Sequence, residues 1–479
     1  MTLKQKALSG VVWTFTDIFL VKGLSFVAML FLARWLGPKE FGLIGMIAVF
    51  IGIGTSLIDS GLSSSIIRTK NANDSDFSTV FYMNIGMSIL VYMLLFFIAP
   101  YIADFYQQDI LINVIRVYCL SFIISAFSAV QLAILNKTMQ FKRLMILNIP
   151  STIIGVIVGL SMGYYNYGVW SIVAMYLTSQ FVLSQLLWIN SSWRPNLTFS
   201  NEKLKQHYRF GYKLLLAGLL EQVFNNIYNI LIGKFFPVQT LGYYERAKQF
   251  NEYPSLAITS VVGKVSYPML SKMQDDRTKL SFVYKKMIRL TFFISAPVMM
   301  IAAAIALPLF DLILGEEWVA AVPIFQILCI SSMFYPIHAF NINIFKVFGR
   351  SDLFLKLEII KKTILIFAIF IGFQFGIFGL VWSSVITSIL SLFINTHFTS
   401  KFIDYKQTRQ LLDLLPILLV SVLMFFIIYI FSSFFSHYSS IKLITFSVLI
   451  GILLYIIASY LIPKNPIHEI FKYKQISYL

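Results

Sequence analysis

Acidic side chains lie within long apolar stretches of this 479-residue chain, where a charged group is costly to bury. Three of them are Asp17, Asp59 and Glu221, each in a stretch long enough to cross a membrane. A carboxylate in that setting is a candidate to carry a coupling proton or sodium ion. The simpler alternative for each acid is an ion pair with a neighbouring Lys or Arg.

Basic side chains occur in the same setting and are concentrated in the eighth apolar stretch. It contains Arg246, Lys248 and Lys264, while Lys22 lies in the first stretch. Arg246 and Lys264 are five helical turns and about 27 Å apart, so they share a helix face unless Pro254 kinks the helix. The four cations are candidates to bind a negatively charged substrate. The alternative is that Arg246 and Lys248 snorkel to the outer surface.

Amide side chains form a third pattern in the seventh stretch. Glu221, Asn225 and Asn229 recur at four-residue spacing, which predicts one polar stripe along a helix. Asn225 and Asn229 are therefore candidates to contact a polar substrate. Polar residues are concentrated in the first, second, seventh and eighth stretches, whereas the third and sixth carry almost none. This distribution is expected if those four stretches line a polar cavity between two bundles.

The composition indicates a membrane protein. Hydrophobic residues make up 58% of the chain and charged residues 12%, with a mean hydropathy of +0.79. A soluble domain would have too little polar surface at this composition. Apolar runs near twenty residues recur throughout, which predicts an all-α polytopic membrane protein with about fourteen transmembrane helices.

The basic residues indicate an orientation. With the N-terminus in the cytoplasm, about 28 of the 38 Lys and Arg lie in cytoplasmic loops or at their edges. The few outside are Arg34, Lys39, Lys234 and Lys442. This asymmetry predicts cytoplasmic N- and C-termini, and an uncleaved first span because no small-residue cleavage site follows it. The net charge of +17 is dispersed among short loops, so nucleic acid is not expected as a partner.

A motif near the N-terminus recurs about 200 residues later. Each copy has a basic residue, two bulky apolar residues, a turn with proline, and then an apolar-Gly-apolar triplet. The first copy runs from Arg34 through Gly37-Pro38 to Phe41-Gly42-Leu43, and the second from Lys234 through Pro237 to Leu241-Gly242-Tyr243. Both copies predict tight turns between helices. Because six spans separate them, the two halves should be related by an axis along the membrane normal.

The repeat predicts a domain organisation. Residues 1–190 form an N-terminal six-helix bundle and residues 210–402 a second, pseudo-symmetric one. Residues 191–209 form a cytoplasmic linker, either a plain polar loop or an amphipathic helix on the membrane surface. Residues 403–479 contribute two additional helices and a cytoplasmic tail.

Several chemistries are not expected. The chain has no nucleotide-binding loop, no HExxH and no convincing catalytic triad, so no catalytic residue is assigned. Its two cysteines, Cys119 and Cys329, lie in apolar runs without metal-ligand spacing, which predicts no disulfide, metal or other cofactor. External loops are short, whereas membrane glycosyl polymerases and ligases usually carry a sizeable external platform.

The motif LARWLGPKEFGLIGM at residues 32–46, with twelve spans in two halves plus two, resembles the polysaccharide-transporter family. That family comprises Wzx-type lipid-linked oligosaccharide flippases, within the multidrug/oligosaccharidyl-lipid/polysaccharide exporter superfamily. The subgroup resembled is that of colanic-acid and teichuronic-acid exporters. The resemblance covers essentially the whole chain, and the turn after the first span is its most specific part.

The resemblance implies a multi-pass protein of the bacterial inner membrane, not an enzyme. It would flip an undecaprenyl-diphosphate-linked oligosaccharide by alternating access for exopolysaccharide, capsule or O-antigen (lipopolysaccharide) biosynthesis. A diphosphate needs compensating cations away from bulk water, which suits Lys22, Arg246, Lys248 and Lys264. Expected partners are this substrate, membrane lipids, and the polymerase and assembly proteins of the same pathway. A lipid II flippase, a drug/cation antiporter of the superfamily and a membrane glycosyl polymerase or ligase stay open as alternatives.

Overall fold

The regular structure is helical throughout the part of the chain that the computed structural model describes, residues 13, 16–59, 62–69, 72–435, 437–462 and 465–468. A π-helical turn, Ile18–Lys22, precedes the first α-helix, and a 3₁₀-helix spans Glu316–Ala321. The α-helices α1 to α18 are, in order, Gly23–Asp59, Leu62–Arg68, Asp74–Tyr106, Ile110–Tyr118, Leu120–Lys137, Phe141–Tyr164, Val169–Asn190, Asn201–Asn225, Ile227–Phe235, Val238–Ser271, Arg277–Ala304, Ala306–Leu314, Val322–Ser332, Tyr335–Val347, Ser351–Phe373, Gly376–Thr399, Gln407–Phe434 and Ser440–Leu461.

Among the described residues, 10 helical segments are long and apolar enough to cross a membrane, or up to 11 if the bent pair α8 and α9 is one span. The prediction of about fourteen is higher for three reasons. Helix α1 contains two predicted spans, the bent pair supplies another, and α10 and α15 are helical but carry several charged residues. The all-α polytopic fold is confirmed, and the number of spans stays a prediction.

Both predicted Pro-containing turns interrupt the helical structure. Gly37 lies within α1 at φ 72° and ψ 178°, a left-handed conformation that glycine adopts without steric cost. In the second copy, α9 ends at Phe235, Phe236 is extended at φ −125° and ψ 163°, and α10 begins at Val238. The two turn predictions are therefore confirmed, although different backbone conformations break the helix in each copy.

The glycines that follow the two turns lie against the other copy of the motif. A Cβ atom on Gly42 would collide with the carbonyl oxygen of Val238. A Cβ atom on Gly242 would collide with the carbonyl oxygen of Pro38. The two copies thus meet backbone to backbone, a close approach that only a residue without a side chain permits.

The contacts divide the chain into two compact units, Met1–Gly242 and Tyr243–Leu479. Helix α8, which the sequence assigns to the start of the second bundle, packs on α1, α2 and α3 of the first unit. The prediction of bundles at residues 1–190 and 210–402 is based on the sequence repeat and not on contacts between helices. That division stays a prediction.

The predicted linker, residues 191–209, is irregular up to Ser200 and continues as the first turns of α8. Its irregular part is hydrogen-bonded to α3. The backbone N–H groups of Asn196 and Ser200 donate to the hydroxyls of Ser78 and Thr79 at 3.0 Å and 3.2 Å. Neither a plain loop nor a separate surface helix describes this segment, because its second half belongs to a long helix that packs on the first unit.

A buried ion pair joins the same two elements. Asp76 in the first turn of α3 has a side-chain exposure of 0% and pairs with Lys203 of α8 at 3.1 Å. Its carboxylate also accepts from the backbone N–H of Asn73, whose own side chain caps α3. Removing one partner of such a pair leaves an uncompensated buried charge. This pair therefore fixes the start of α8 against the first unit.

The second unit is organised around α11, whose first turn is capped by Asp276. Tyr284 of α11 donates its hydroxyl hydrogen to the amide oxygen of Asn341 at 2.9 Å, and Thr399 donates to the same oxygen at 2.7 Å. Three helices, α11, α14 and α16, thereby meet at one buried amide. His338 of α14 lies nearby, and its Nε2 atom is 3.2 Å from the Ser388 hydroxyl of α16.

Candidate functional site

Asp17 lies immediately before the π-helical turn of the first predicted span. Its two carboxylate oxygens accept from the Asn148 amide nitrogen of α6 at 3.1 Å and 3.3 Å. Short π-helical segments are frequent at functional positions, because they displace a side chain from regular helical register. The alternative interpretation, an ion pair with Lys or Arg, is not found for Asp17 among the described residues, and an amide contacts it instead.

Lys22 ends the same π-helical turn, five residues after Asp17. Its side chain is exposed, and no acid pairs with it in the part of the chain that the structure describes. Together Asp17 and Lys22 bracket a turn in which the first span departs from α-helical geometry. The sequence identifies both residues as candidates but gives no signal for the π-helical turn.

Asp59 ends α1 and lines a cavity of about 320 Å³ within the first unit. The other polar residues that line it are Thr55, Asn84, Ser125 and Asn136, from α1, α3 and α5. Asn84 belongs to the third span, which the sequence pattern predicts to be almost free of polar residues. The sequence pattern did not identify Asn84, because a single amide in an otherwise apolar run forms no periodic pattern.

The prediction that one polar stripe runs along the seventh span is wrong beyond Asn225. Helix α8 ends there, and the chain bends by 42° at Asn226 before α9 begins. Glu221 and Asn225 are exposed, whereas Asn229 is 1% exposed and donates its amide nitrogen to the Gly45 carbonyl at 3.3 Å. Four-residue spacing places side chains on one face only while the helix is unbroken.

The eighth span, α10, is continuous across Pro254. Arg246 in its third turn is 6% exposed, so its guanidinium is withdrawn from the surface instead of snorkelling outward. Lys248 is half-buried. The side chain of Lys264 lies outside the described residues, so the proposed alignment of Arg246 with Lys264 stays a prediction.

The described residues contain neither a cluster of the usual metal-ligating side chains nor a disulfide. No group of three or more His, Cys, Asp or Glu side chains converges there. Cys119 and Cys329 are both free and buried. The candidate residues offer carboxylates, amides, hydroxyls and cations held within helices, groups that can bind ions and polar ligands.

A sequence profile described as "Polysaccharide biosynthesis protein" matches residues 31–323. The Escherichia coli (strain K12) lipopolysaccharide biosynthesis protein WzxC is 23% identical over 401 residues, covering 82% of each chain. The Bacillus subtilis (strain 168) teichuronic acid biosynthesis protein TuaB is 25% identical over 360 residues, covering 74% of this chain and 73% of that protein.

Solved structures of transporters share the fold. The lipid II flippase MurJ, in an inward closed conformation, has a TM-score of 0.73 at 18% identity, covering 94% of this chain and 98% of MurJ. An inward-facing multidrug resistance MATE transporter of the MOP superfamily has a TM-score of 0.60 at 18% identity, covering 82% of this chain and 98% of that one. These neighbours are transporters and not enzymes. With the profile match over well over half of the chain, the predicted resemblance is confirmed, and the protein belongs to the polysaccharide biosynthesis protein family.

Proposed function

We propose that this protein is a flippase for an undecaprenyl-diphosphate-linked oligosaccharide, acting by alternating access in the biosynthesis of a bacterial surface polysaccharide. The observation that carries the proposal is the family match over residues 31–323. The names of WzxC and TuaB, which concern lipopolysaccharide and teichuronic acid, support a glycan as the cargo. The likeness to MurJ at 18% identity supports the fold and does not favour lipid II as the substrate.

The substrate's diphosphate is bound by basic side chains within the spans. Arg246 is the strongest candidate because its guanidinium is buried in a long helix, where charge–charge attraction is least screened by water. Lys22 is the second, since it is exposed at the π-helical turn and has no acidic partner among the described residues. Lys248 and Lys264 extend the series along α10, and Asn225 and Asn229 are proposed to contact sugar hydroxyls.

An ion gradient drives the conformational cycle in this proposal. Asp17, Asp59 and Glu221 are the candidate ion-coupling residues, because each is a carboxylate within a predicted span. Asp17 accepts from an amide, Asp59 lines a cavity and Glu221 is exposed. The three acids thus lie in different surroundings, so neutralising them singly should separate their roles.

The protein lies in the bacterial inner membrane with cytoplasmic termini in this proposal. The asymmetry of Lys and Arg supports that orientation, and the bacterial origin of WzxC and TuaB supports the membrane. The polymerase and assembly proteins that receive the flipped oligosaccharide are its expected functional partners.

Complementation tests the proposal. A bacterial strain that lacks its own repeat-unit flippase, and so accumulates the lipid-linked oligosaccharide, should regain surface polymer when it expresses this protein at normal membrane levels. Parallel strains that depend on a lipid II flippase or on a drug antiporter should stay deficient. Rescue of either parallel strain without rescue of polymer export would favour the corresponding alternative and overturn the proposal.

A further inference from the structure

The cavity beside Asp59 gathers oxygen atoms from three helices of the first unit. Thr55 and Asp59 come from the last turns of α1, Asn84 from α3, and Ser125 and Asn136 from α5. The remaining lining residues are apolar, Ile58, Ile67, Ala126, Ala129, Leu132 and Ala133. Thr55 and Asp59 are exposed and Asn84 is buried, so the cost of an unsatisfied polar group falls on Asn84.

The two hydroxyl groups are set up as acceptors. Thr55 donates its hydroxyl hydrogen to the carbonyl of Gly52 at 2.9 Å, and Ser125 donates to the carbonyl of Phe122 at 3.0 Å. Because each hydrogen is used within its own helix, the oxygen lone pairs remain for another partner. The two hydroxyls therefore present acceptor oxygens to a ligand in the cavity.

Asn84 supplies the observation that points to a ligand. Its side chain is 1% exposed and lines the cavity, yet its amide oxygen has no hydrogen-bond donor among the described residues. A buried amide oxygen without a partner costs about 1–3 kcal/mol. A cation at this position would satisfy that oxygen together with the two hydroxyl oxygens.

The charge of the cavity limits which ion fits. Among the described residues that line the cavity, Asp59 is the charged one, and none is Lys or Arg. One carboxylate with neutral oxygens matches a monovalent ion, whereas sites for divalent ions usually recruit more carboxylates. Hard oxygen donors of this kind hold sodium in secondary transporters. The volume of about 320 Å³ leaves room for water to complete the coordination.

We propose that Asp59, Asn84, Thr55 and Ser125 form a sodium-binding site within the first unit, with Asn136 at its edge. Occupation of this site would join α1, α3 and α5 through one ion and so favour the conformation in which they converge. The binding itself is independent of the transported molecule. Only its role as the coupling site rests on the proposed flippase function.

Direct binding of radioactive sodium tests the site. The purified full-length protein in detergent is immobilised, and saturable ²²Na⁺ binding is measured by scintillation proximity in a choline background. The wild-type protein should bind ²²Na⁺ saturably, and unlabelled sodium should displace it much better than potassium. Because the assay contains no lipid-linked oligosaccharide, its result does not depend on whether the protein is a flippase.

Three variants locate the ion. Asp59→Asn should weaken sodium binding at least about tenfold, because it removes the one carboxylate. Asn84→Asp should gain calcium binding, because it adds a second carboxylate to the same cavity. Asp109→Asn, which changes an exposed acid outside the cavity, should bind like the wild-type protein. Each variant must elute as a monodisperse peak in size-exclusion chromatography.

Four results would overturn the site. They are the absence of saturable binding by the wild-type protein, unchanged binding by folded Asp59→Asn, equal displacement by potassium, and loss of binding in Asp17→Asn with retention in Asp59→Asn. The last result would move the ion to the carboxylate that Asn148 contacts. Gain of calcium binding by Asn84→Asp supports the site even if Asp59→Asn is poorly folded.

Discussion

Arg246 carries a buried guanidinium within the long helix α10, and we expect an anionic group of the substrate to bind it there. A diphosphate is well suited to that role because its oxygens accept the bidentate hydrogen bonds that arginine donates. Lys22 differs, since a lysine is a compact point charge that is exposed at a π-helical turn. We expect Arg246 to set substrate affinity and Lys22 to act at a different stage of transport.

Substitution of these two cations should reduce export without removing the protein from the membrane. Arg246→Ala and Lys22→Ala are each expected to lower polymer export in the complemented strain, Arg246→Ala by about thirtyfold, which corresponds to about 2 kcal/mol. Arg246→Lys should restore only part of the activity, because it keeps the charge but loses the planar fork. Polymer on the cell surface and protein in the membrane are quantified together.

Lys442→Ala is the matched control for these variants, since Lys442 is exposed in the first turn of α18. It should export polymer like the wild-type protein. Full export by both Arg246→Ala and Lys22→Ala would mean that neither cation binds the diphosphate.

The two turn motifs contact each other within the first unit. Gly42 contacts the carbonyl of Val238, and Gly242 contacts the carbonyl of Pro38, so the two chain segments lie backbone to backbone. A side chain at either position would force the backbones apart. The close contact explains why each motif places a glycine between two apolar residues after its turn.

Alanine at these glycines should destabilise the protein. Gly42→Ala and Gly242→Ala are each expected to cost about 1–3 kcal/mol, because the added methyl group collides with rigid backbone instead of with a movable side chain. Gly86→Ala is the control, since a Cβ atom there meets nothing within 4 Å on helix α3. That change should be neutral or stabilising. Thermal unfolding in detergent measures all three, and equal melting temperatures would contradict the close contact.

The sequence predicts helices and turns well here, and the partners of polar residues poorly. Gly37-Pro38 and Pro237 identify both turns because their geometry is local. Asp17 and Asn148 are separated by 131 positions, so no local pattern pairs them. The bend at Asn226 was missed because it lies in a run of residues compatible with a helix. Asn84 was missed because a lone amide becomes meaningful only when the fold places it beside a cavity.

At the scale of the whole molecule, the net charge of +17 is distributed so that most basic residues fall on one predicted side. The predicted linker, residues 191–209, is assigned to that side and carries Arg194, Lys203 and Lys205. Leu197 in this segment is 98% exposed, which makes it an accessible reporter of orientation. Both native cysteines are buried, so a new thiol there would dominate the labelling.

Cysteine accessibility should therefore locate this segment in the cytoplasm. In intact cells, Leu197→Cys should resist a membrane-impermeant maleimide and react only after the inner membrane is permeabilised. Gln239→Cys, at the exposed start of α10 in the second turn motif, should react in intact cells. Reaction of Leu197→Cys from outside would reverse the proposed topology.

Reconstituted flipping tests the central claim most directly. The purified protein is placed in liposomes that contain a fluorescent undecaprenyl-diphosphate-linked oligosaccharide, and an impermeant glycosidase reports the fraction in the outer leaflet over time. We predict that the wild-type protein makes the protected inner-leaflet pool accessible to the enzyme, and that Arg246→Ala does so much more slowly. The proposed flippase function would be contradicted if the inner-leaflet oligosaccharide stayed as protected from the glycosidase as it is in protein-free liposomes. This test requires folded protein and an imposed ion gradient.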